Sequence, residues 1–465
     1  MKQNRRYFLG TMLVASAAAA TGALQAKSIG KSNSAPIGRM GLLGNRFLTF
    51  NAVVRVNQIE ATRSRLIGQD ETALHTPEAA QSFRDAFEKG WPGGRMTWAF
   101  SWLALQDPRE NYKAIRQLVA GFHHKYGDEI TFIPGGYFAN MYNTREQVNA
   151  DIHEALQRVS EMVGDGYRPR SIVAGFLSAA NQRYLADKED IHVCQGNIWS
   201  QYAIDNGDGE GSISYPYYPS REHLCKPAQG KSDVIDCVNL DGWTCDFVSA
   251  RRAGCDNTHN SRMGLGPIET FMNLGSDTGL KEVMATTAAH FDQGFDLNRF
   301  AWITTCWELS LLKLRPELPL CDSLSQWLEA VRNRWPQARC ITQGEFGLVW
   351  RKHFHNNSKF DYRFRQRGSG IFGSDANLEI TWAMNKDFRL ALLRDWKANG
   401  PSRVIDFTRY DLTAEEPRDL GRNWSLMNRL NQKGIRPQDK PALLSELSAE
   451  DRNVIARRCP DLLRS

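Results

Sequence analysis

Cysteine is absent from the first 190 residues, and all nine cysteines (Cys194, Cys225, Cys237, Cys245, Cys255, Cys306, Cys321, Cys340 and Cys459) lie beyond them. An odd number with no regular spacing excludes the disulfide framework of a small secreted domain, and without a CxxC pair there is no zinc–thiolate site. Cys194, Cys306 and Cys340 fall inside apolar runs and read as small core residues. Cys225 with Cys237, and Cys245 with Cys255, are the candidates for loop bridges, but folding before export disfavours oxidation and free thiols are the preferred reading. Neither GxGxxG nor GxxxxGK[ST] follows a strand-like run, so both nucleotide fingerprints are missing. No block of like charge occurs. The formal charge of +6 falls to about +3 once Lys2, Arg5 and Arg6 are set aside, leaving 55 basic against 52 acidic residues. A nucleic-acid footprint is therefore not supported.

Long apolar stretches are also lacking. The most apolar segment, 11–20, is too short to anchor stably in a bilayer, and no membrane span is expected in the mature chain. It follows Asn4-Arg5-Arg6-Tyr7-Phe8-Leu9-Gly10 and precedes small residues ending at Ala26. That order predicts an export signal over 1–26, of the twin-arginine type read by the twin-arginine machinery, and a periplasmic or secreted protein. Residues 27–44 read as a flexible stem rich in Ser, Gly and Lys.

What is present is a rhythm. Short apolar runs recur at 47–54, 96–102, 130–137, 171–176, 192–198, 234–240, 300–306 and 338–342. Helical spacing fills several intervals, at 77–90, 109–126, 144–163, 279–291 and 323–335, and again at 385–399. Alternation of this kind indicates parallel strands with helical crossovers. The expected fold is α/β: an eight-stranded β/α barrel of TIM type over 45–350, with a seven-stranded, incompletely closed barrel as the alternative. Residues 351–465 form a C-terminal extension packed on it, ending in a charged tail from about Arg418.

Barrel enzymes keep their chemistry at the carboxyl ends of the strands. Glu308 and Glu345 each follow a buried run, and Asp241 follows a third. Hydrolysis of a glycosidic bond needs two carboxyl groups flanking it, so Glu308 and Glu345 are the expected catalytic pair, with Asp241 as substitute or helper. Aromatic faces stack on pyranose rings, and Trp98, Trp102, Tyr137, Trp199, Tyr217, Tyr218, Trp243 and Trp307 stand at rim positions. Asn140, Asn181 and Asn239 are the expected hydroxyl-binding amides. The stretch 205–211 alternates acidic residues and glycine, but it lacks the EF-hand glutamate, so a solvated turn is preferred to calcium. His353 and His355, with His192 or His223, are the histidines a zinc-dependent deacetylase would need, and nothing in their spacing demands zinc. No cofactor is expected.

Segments 45–60, 98–105, 133–145, 194–219, 239–243 and 365–377, the last with Gly373-Ser374-Asp375-Ala376-Asn377, resemble a family of exported bacterial proteins of uncharacterised function. The likeness spans nearly the whole mature chain. It implies a glycoside-hydrolase-like barrel and supplies no catalytic assignment. The expected activity is glycosidic hydrolysis of an oligo- or polysaccharide; the alternatives are a metal-dependent polysaccharide deacetylase and a non-catalytic glycan-binding protein.

Overall fold

Strand β1 (Arg46–Val54) is buried over eight of its nine residues, because both of its faces are covered. Alternation sends Leu48, Phe50, Ala52 and Val54 to an outer layer of helices, while Phe47, Thr49, Asn51 and Val53 point inward. A computed structural model describes residues 40–197, 210–241, 246–255, 266–431, 434–436 and 439–464. Past β1 the chain makes a hairpin of β2 (Asn57–Glu60) and β3 (Leu66–Asp70). The other seven expected runs become β4 (Thr97–Phe100), β5 (Glu129–Phe132), β6 (Ile172–Val173), β7 (Val193–Asn197), β8 (Val238–Asp241), β9 (Ala301–Glu308) and β10 (Arg339–Cys340).

These strands are all parallel, in two sheets. β9 lies along one edge of β1, with Arg46 opposite Ala301 and Val53 opposite Glu308. The other edge is shared: β10 pairs with Phe47 and Leu48, and β4 pairs with Asn51–Val54 above it. β5 follows β4, and β6, β7 and β8 form the second sheet. Among the described residues the eight-stranded ring of a TIM barrel is not formed, since β9 already occupies the edge of β1 that β10 would need as an eighth strand. Among the described residues no ladder joins β5 to β6 or β8 to β9. The first of these gaps is spanned by side chains, with Thr131 donating to the Ser171 carbonyl at 2.5 Å and the Tyr167 hydroxyl to that of Ile130 at 2.8 Å.

The helices follow from their capping chemistry. Thr76 caps Pro77–Gly90, which carries Pro77 in its first turn, and Thr144 with Gln147 forms a capping box on Arg145–Val163. Glu110–Tyr126 ends on Gly127 at φ +78°. The helix expected at 279–291 is the end of a longer one, Pro267–Ala288, continued by a wide turn over Ala289–Gly294. No described helix is long and apolar enough to cross a membrane.

Between β7 and β9 runs the helix Gln343–His353. Phe346 stacks on Trp302 of β9, 4.7 Å between ring centres. On its far side a Cβ at Gly347 would lie 2.3 Å from Val193 Cγ1, so only glycine permits this approach. Trp350 donates to the Tyr362 hydroxyl at 2.8 Å.

Tyr362 belongs to an antiparallel sheet of β11 (Asp361–Arg367), β12 (Leu378–Asn385), β13 (Phe388–Asp395), β14 (Arg403–Arg409) and β15 (Ala442–Leu443). β13 replaces the helix expected over 385–399, because Phe388, Leu390 and Leu392 alternate with period two and bury together. Trp424, Leu426 and Met427 are buried as well, so the expected charged tail is packed structure there. One face of the sheet turns Tyr362, Phe364, Ile380 and Trp382 toward the parallel strands. The other is covered at its lower half by the helix Ala449–Arg458, through Val454 and Ile455. Where the sheet meets the long helix, Glu282 accepts from the Ser369 hydroxyl and Asp246 from that of Ser374, each at 2.5 Å. Burial, then the neighbouring Asp246 carboxyl, pushes Glu282 up to about 9.

Candidate active site at the carboxyl ends of the strands

The inward series of β1 continues past its end to Arg55, and that of β9 ends on Cys306 and Glu308. Matching register brings the two together. Arg55 Nη1 and Nη2 donate to Glu308 Oε1 and Oε2 at 3.1 and 2.7 Å. The same guanidinium donates from Nε and Nη2 to the two oxygens of Glu71, both at 2.7 Å. Glu71 follows the β2–β3 hairpin, and His75 Nε2 stands 3.3 Å from it. One cation thus faces two carboxylates in planar, paired contacts suited to a guanidinium.

Burial makes this group strong. Burial alone would lower Arg55, but Glu308 and Glu71 outweigh it and raise it above its ordinary value. Burial would lift Glu71, yet hydrogen bonds from His75 and Arg55 reverse the sign and hold it at about 2. His75, wholly buried, is pushed down by desolvation against the pull of Glu71, and its Nδ1 has no hydrogen-bond partner.

Beyond β5 the chain turns through Gly135, Gly136 and Tyr137, all at positive φ, with Tyr137 at +83°. This turn delivers the Tyr137 hydroxyl to 2.7 Å from Cys306 Sγ. Burial pushes the Cys306 thiol up to about 12 and raises Tyr137, so both are neutral beside Glu308. Glu60 ties the floor of the rim together, accepting from the Ser101 hydroxyl at 2.5 Å and from the Val56 and Leu103 amides.

Glu345 does not join Glu308. Arg95 Nε and Nη2 hold its Oε2 at 3.0 and 2.9 Å, and it caps its own helix through Thr342. Arg95 precedes β4 and Arg170, 3.7 Å from Glu345, precedes β6; the neighbouring Gly344 amide donates to Glu129, the first residue of β5. Glu345 therefore sits among the amino ends of the strands. The expected pair is corrected on this ground: β10 is two residues long and lies beside the start of β1, so the segment after it never reaches the upper rim.

Asp241 is the buried last residue of β8, aligned with Asn197 of β7. Trp199 and Trp243 lie outside the described residues, as does most of 205–211. Of the other expected binding residues only Tyr137 stands with Glu308. Trp98 and Trp307 face the outer helices, Trp98 donating to Asp128 at 3.1 Å and Trp307 packing 5.7 Å from Phe50. Trp102 is covered by the Arg63 guanidinium, 3.4 Å from its ring centre. Asn239 accepts from the Gly196 amide at 2.8 Å and donates to Tyr217 at 2.6 Å, while Tyr217 donates to the Leu224 carbonyl at 2.7 Å. Tyr218 donates to the Phe354 carbonyl at 2.8 Å. Asn140 and Asn181 bond each other at 2.8 Å and brace Ser178 and Arg145. These side chains hold the fold together.

No disulfide joins Cys225 to Cys237, and among the described residues no three His, Cys, Asp or Glu side chains gather to hold a metal ion. Sequence reasoning missed Arg55, Glu71 and His75, and read Cys306 as core. Period-two continuation past the end of β1 was the available signal for Arg55, and alternation within β9 that for Cys306.

A family model for a domain of unknown function with solved structures, DUF3863, matches residues 40–384. The chain belongs to that family. A second such model, DUF3864, matches residues 389–462. A crystal structure from Parabacteroides distasonis, provisionally assigned as a glycoside hydrolase/deacetylase, is 49% identical, with TM-score 0.86, over 91% of this chain and 100% of its own. A provisionally assigned polysaccharide deacetylase from Mycobacterium smegmatis is 10% identical at TM-score 0.43, over 68% of this chain and 92% of its own. A GH57-type branching enzyme from Pyrococcus horikoshii is 9% identical at TM-score 0.39, over 65% and 70%. Neither of these two distant likenesses bears on the chemistry. Among curated proteins no relative matches the chain.

Proposed function

We propose that this DUF3863 protein is an exported carbohydrate-active enzyme that hydrolyses glycosidic bonds at the Glu308 end of its parallel strands. The carrying observation is a contrast in exposure: the Glu308 side chain is 17% exposed, while Arg55 and Glu71 behind it are 4% and 7%. A carboxylate locked by a buried guanidinium and itself partly exposed has the fixed position that catalysis at an anomeric carbon requires. Tyr137 and Cys306 flank it as neutral groups that add no competing charge.

Glu345 has no part in this mechanism. Asp241, at the end of the strand preceding β9 in order, is the second carboxyl of the proposal. The provisional assignment of the Parabacteroides relative supports carbohydrate chemistry at this coarse level. Arg5 and Arg6 ahead of an apolar run support export.

Incubating the mature protein with a panel of polysaccharides and measuring released reducing ends together with acetate tests the reading. Reducing ends are expected, and Glu308→Gln should lower their rate by about 10²–10⁴-fold. Acetate alone would replace hydrolysis by deacetylation, and binding with neither product would make the protein a glycan binder. For export, residues 1–44 fused to a folded reporter should carry it across the membrane until Arg5 and Arg6 are changed to lysine.

A further inference from the structure

The C-terminal helix Ala449–Arg458 covers only part of the outer face of the antiparallel sheet, and what it leaves open has a definite chemistry. Arg367 of β11 stands opposite Glu379 of β12, which stands opposite Arg394 of β13, so the three share one row on one face. Arg365 lies in the next row on that face, opposite Thr381. Just past β13, Trp396 is 40% exposed. The Arg394 guanidinium lies 3.7 Å from its ring centre and that of Arg367 lies 5.5 Å away. None of the three arginines takes part in an ion pair with a described residue, although ion pairs are frequent elsewhere on this chain.

We infer that this face is a second glycan-binding surface, separate from the Glu308 rim, that takes an anionic polysaccharide bearing carboxylate groups. Three guanidiniums without a carboxylate partner among the described residues, against one carboxylate, select an anionic partner; Arg367 donates its Nε to the Ala376 carbonyl at 2.7 Å and keeps its terminal nitrogens for a ligand. The backbones of Arg367 and Arg394 are two strand spacings apart, about 10 Å, and their guanidiniums converge on the one Trp396 ring. The half-exposed Trp396 indole supplies apolar contact area beside these cations. Choosing a glycan over other polyanions rests on the catalytic reading above; the charge and the aromatic contact do not.

Electrophoresis of the full-length mature protein through gels containing polygalacturonate tests the surface, with gels containing a neutral cellulose derivative as comparison. Retardation is expected in polygalacturonate only, weakening as salt is raised. Arg367→Ala/Arg394→Ala should weaken binding about tenfold, the loss of two charge-assisted contacts. Trp396→Ala, which removes no charge, should weaken it by about threefold, the worth of a modest aromatic contact. Lys89→Ala/Arg418→Ala removes the same charge from other exposed positions and should leave retardation unchanged. Melting curves confirm that each variant folds, and Arg365→Glu provides an independent probe of the same face. Equal effects of the two double variants, or no effect of Trp396→Ala, overturns the proposal, as does equally strong retardation by duplex DNA. Glu308→Gln should bind as the parent does, so loss of catalysis and loss of this surface are read apart.

Discussion

Replacing Arg55 by methionine leaves Glu71 and Glu308 facing each other across the rim with no cation between them. Glu71 is held at about 2 in the folded protein, against an ordinary value of 4.5. Because the folded value is the lower one, the interaction stabilises the fold above about pH 4.5, and the gain is lost as pH falls toward 2. A displacement of that size is worth about 3 kcal/mol. That displacement is shared between His75 and Arg55, while removing one partner from a buried charge pair costs about 3–5 kcal/mol by comparison with other proteins. We expect Arg55→Met to lose about 3–5 kcal/mol near pH 7, read from the urea midpoint followed by tryptophan fluorescence. The deficit should shrink near pH 4, where the orphaned carboxylates take up protons. Arg55→Met/Glu71→Gln should recover part of the loss. An unchanged midpoint at neutral pH, or a deficit that grows on acidification, refutes this account of the rim.

Three further outcomes are expected. Glu345→Gln should keep glycan turnover within about twofold while lowering the melting temperature through its lost contact with Arg95, an ion pair worth about 1–3 kcal/mol at this depth; a loss of turnover matching that of Glu308→Gln would return Glu345 to the chemistry. Gly347→Ala places a methyl group 2.3 Å from Val193 Cγ1, and should cost about 1–3 kcal/mol or more in urea unfolding; a silent substitution would show that the helix is free to move outward. Glu282, pushed up to about 9 from 4.5, is a source of instability that grows as pH rises between those values. The melting temperature of the parent should therefore fall between about pH 6 and 9 more steeply than that of Glu282→Gln, and parallel slopes would remove the buried proton from the account.

Strand order was legible in the amino-acid sequence because each buried parallel strand leaves an uninterrupted apolar run, and all eight runs recur as strands in sequence order. Strand height was not. Reading every run as reaching the same rim places Glu345 beside Glu308, whereas the edge of β1 had room for only two residues of β10 below β4. Segment 385–399 fits a helical stripe through Leu390 and Leu393 as well as a strand through Phe388, Leu390 and Leu392, and only the partner strands β12 and β14 decide between them. Glu308 was found from its position at a strand end. Its partner Arg55 is 253 residues away in sequence, and Glu71 arrives from a hairpin whose folding no local pattern announces.

The hairpin of β12 and β13 bears on how this chain is divided. One family match ends at 384 and the next begins at 389, on either side of the tight turn after Asn385. Those two strands are aligned from Leu378 opposite Asp395 to Met384 opposite Arg389. A gene cut at that line would strand β12 with a bare hydrogen-bonding edge beside Trp382, a template for association between copies. The two matched segments are thus bound into one folding unit, and neither should be inherited, swapped or expressed without the other.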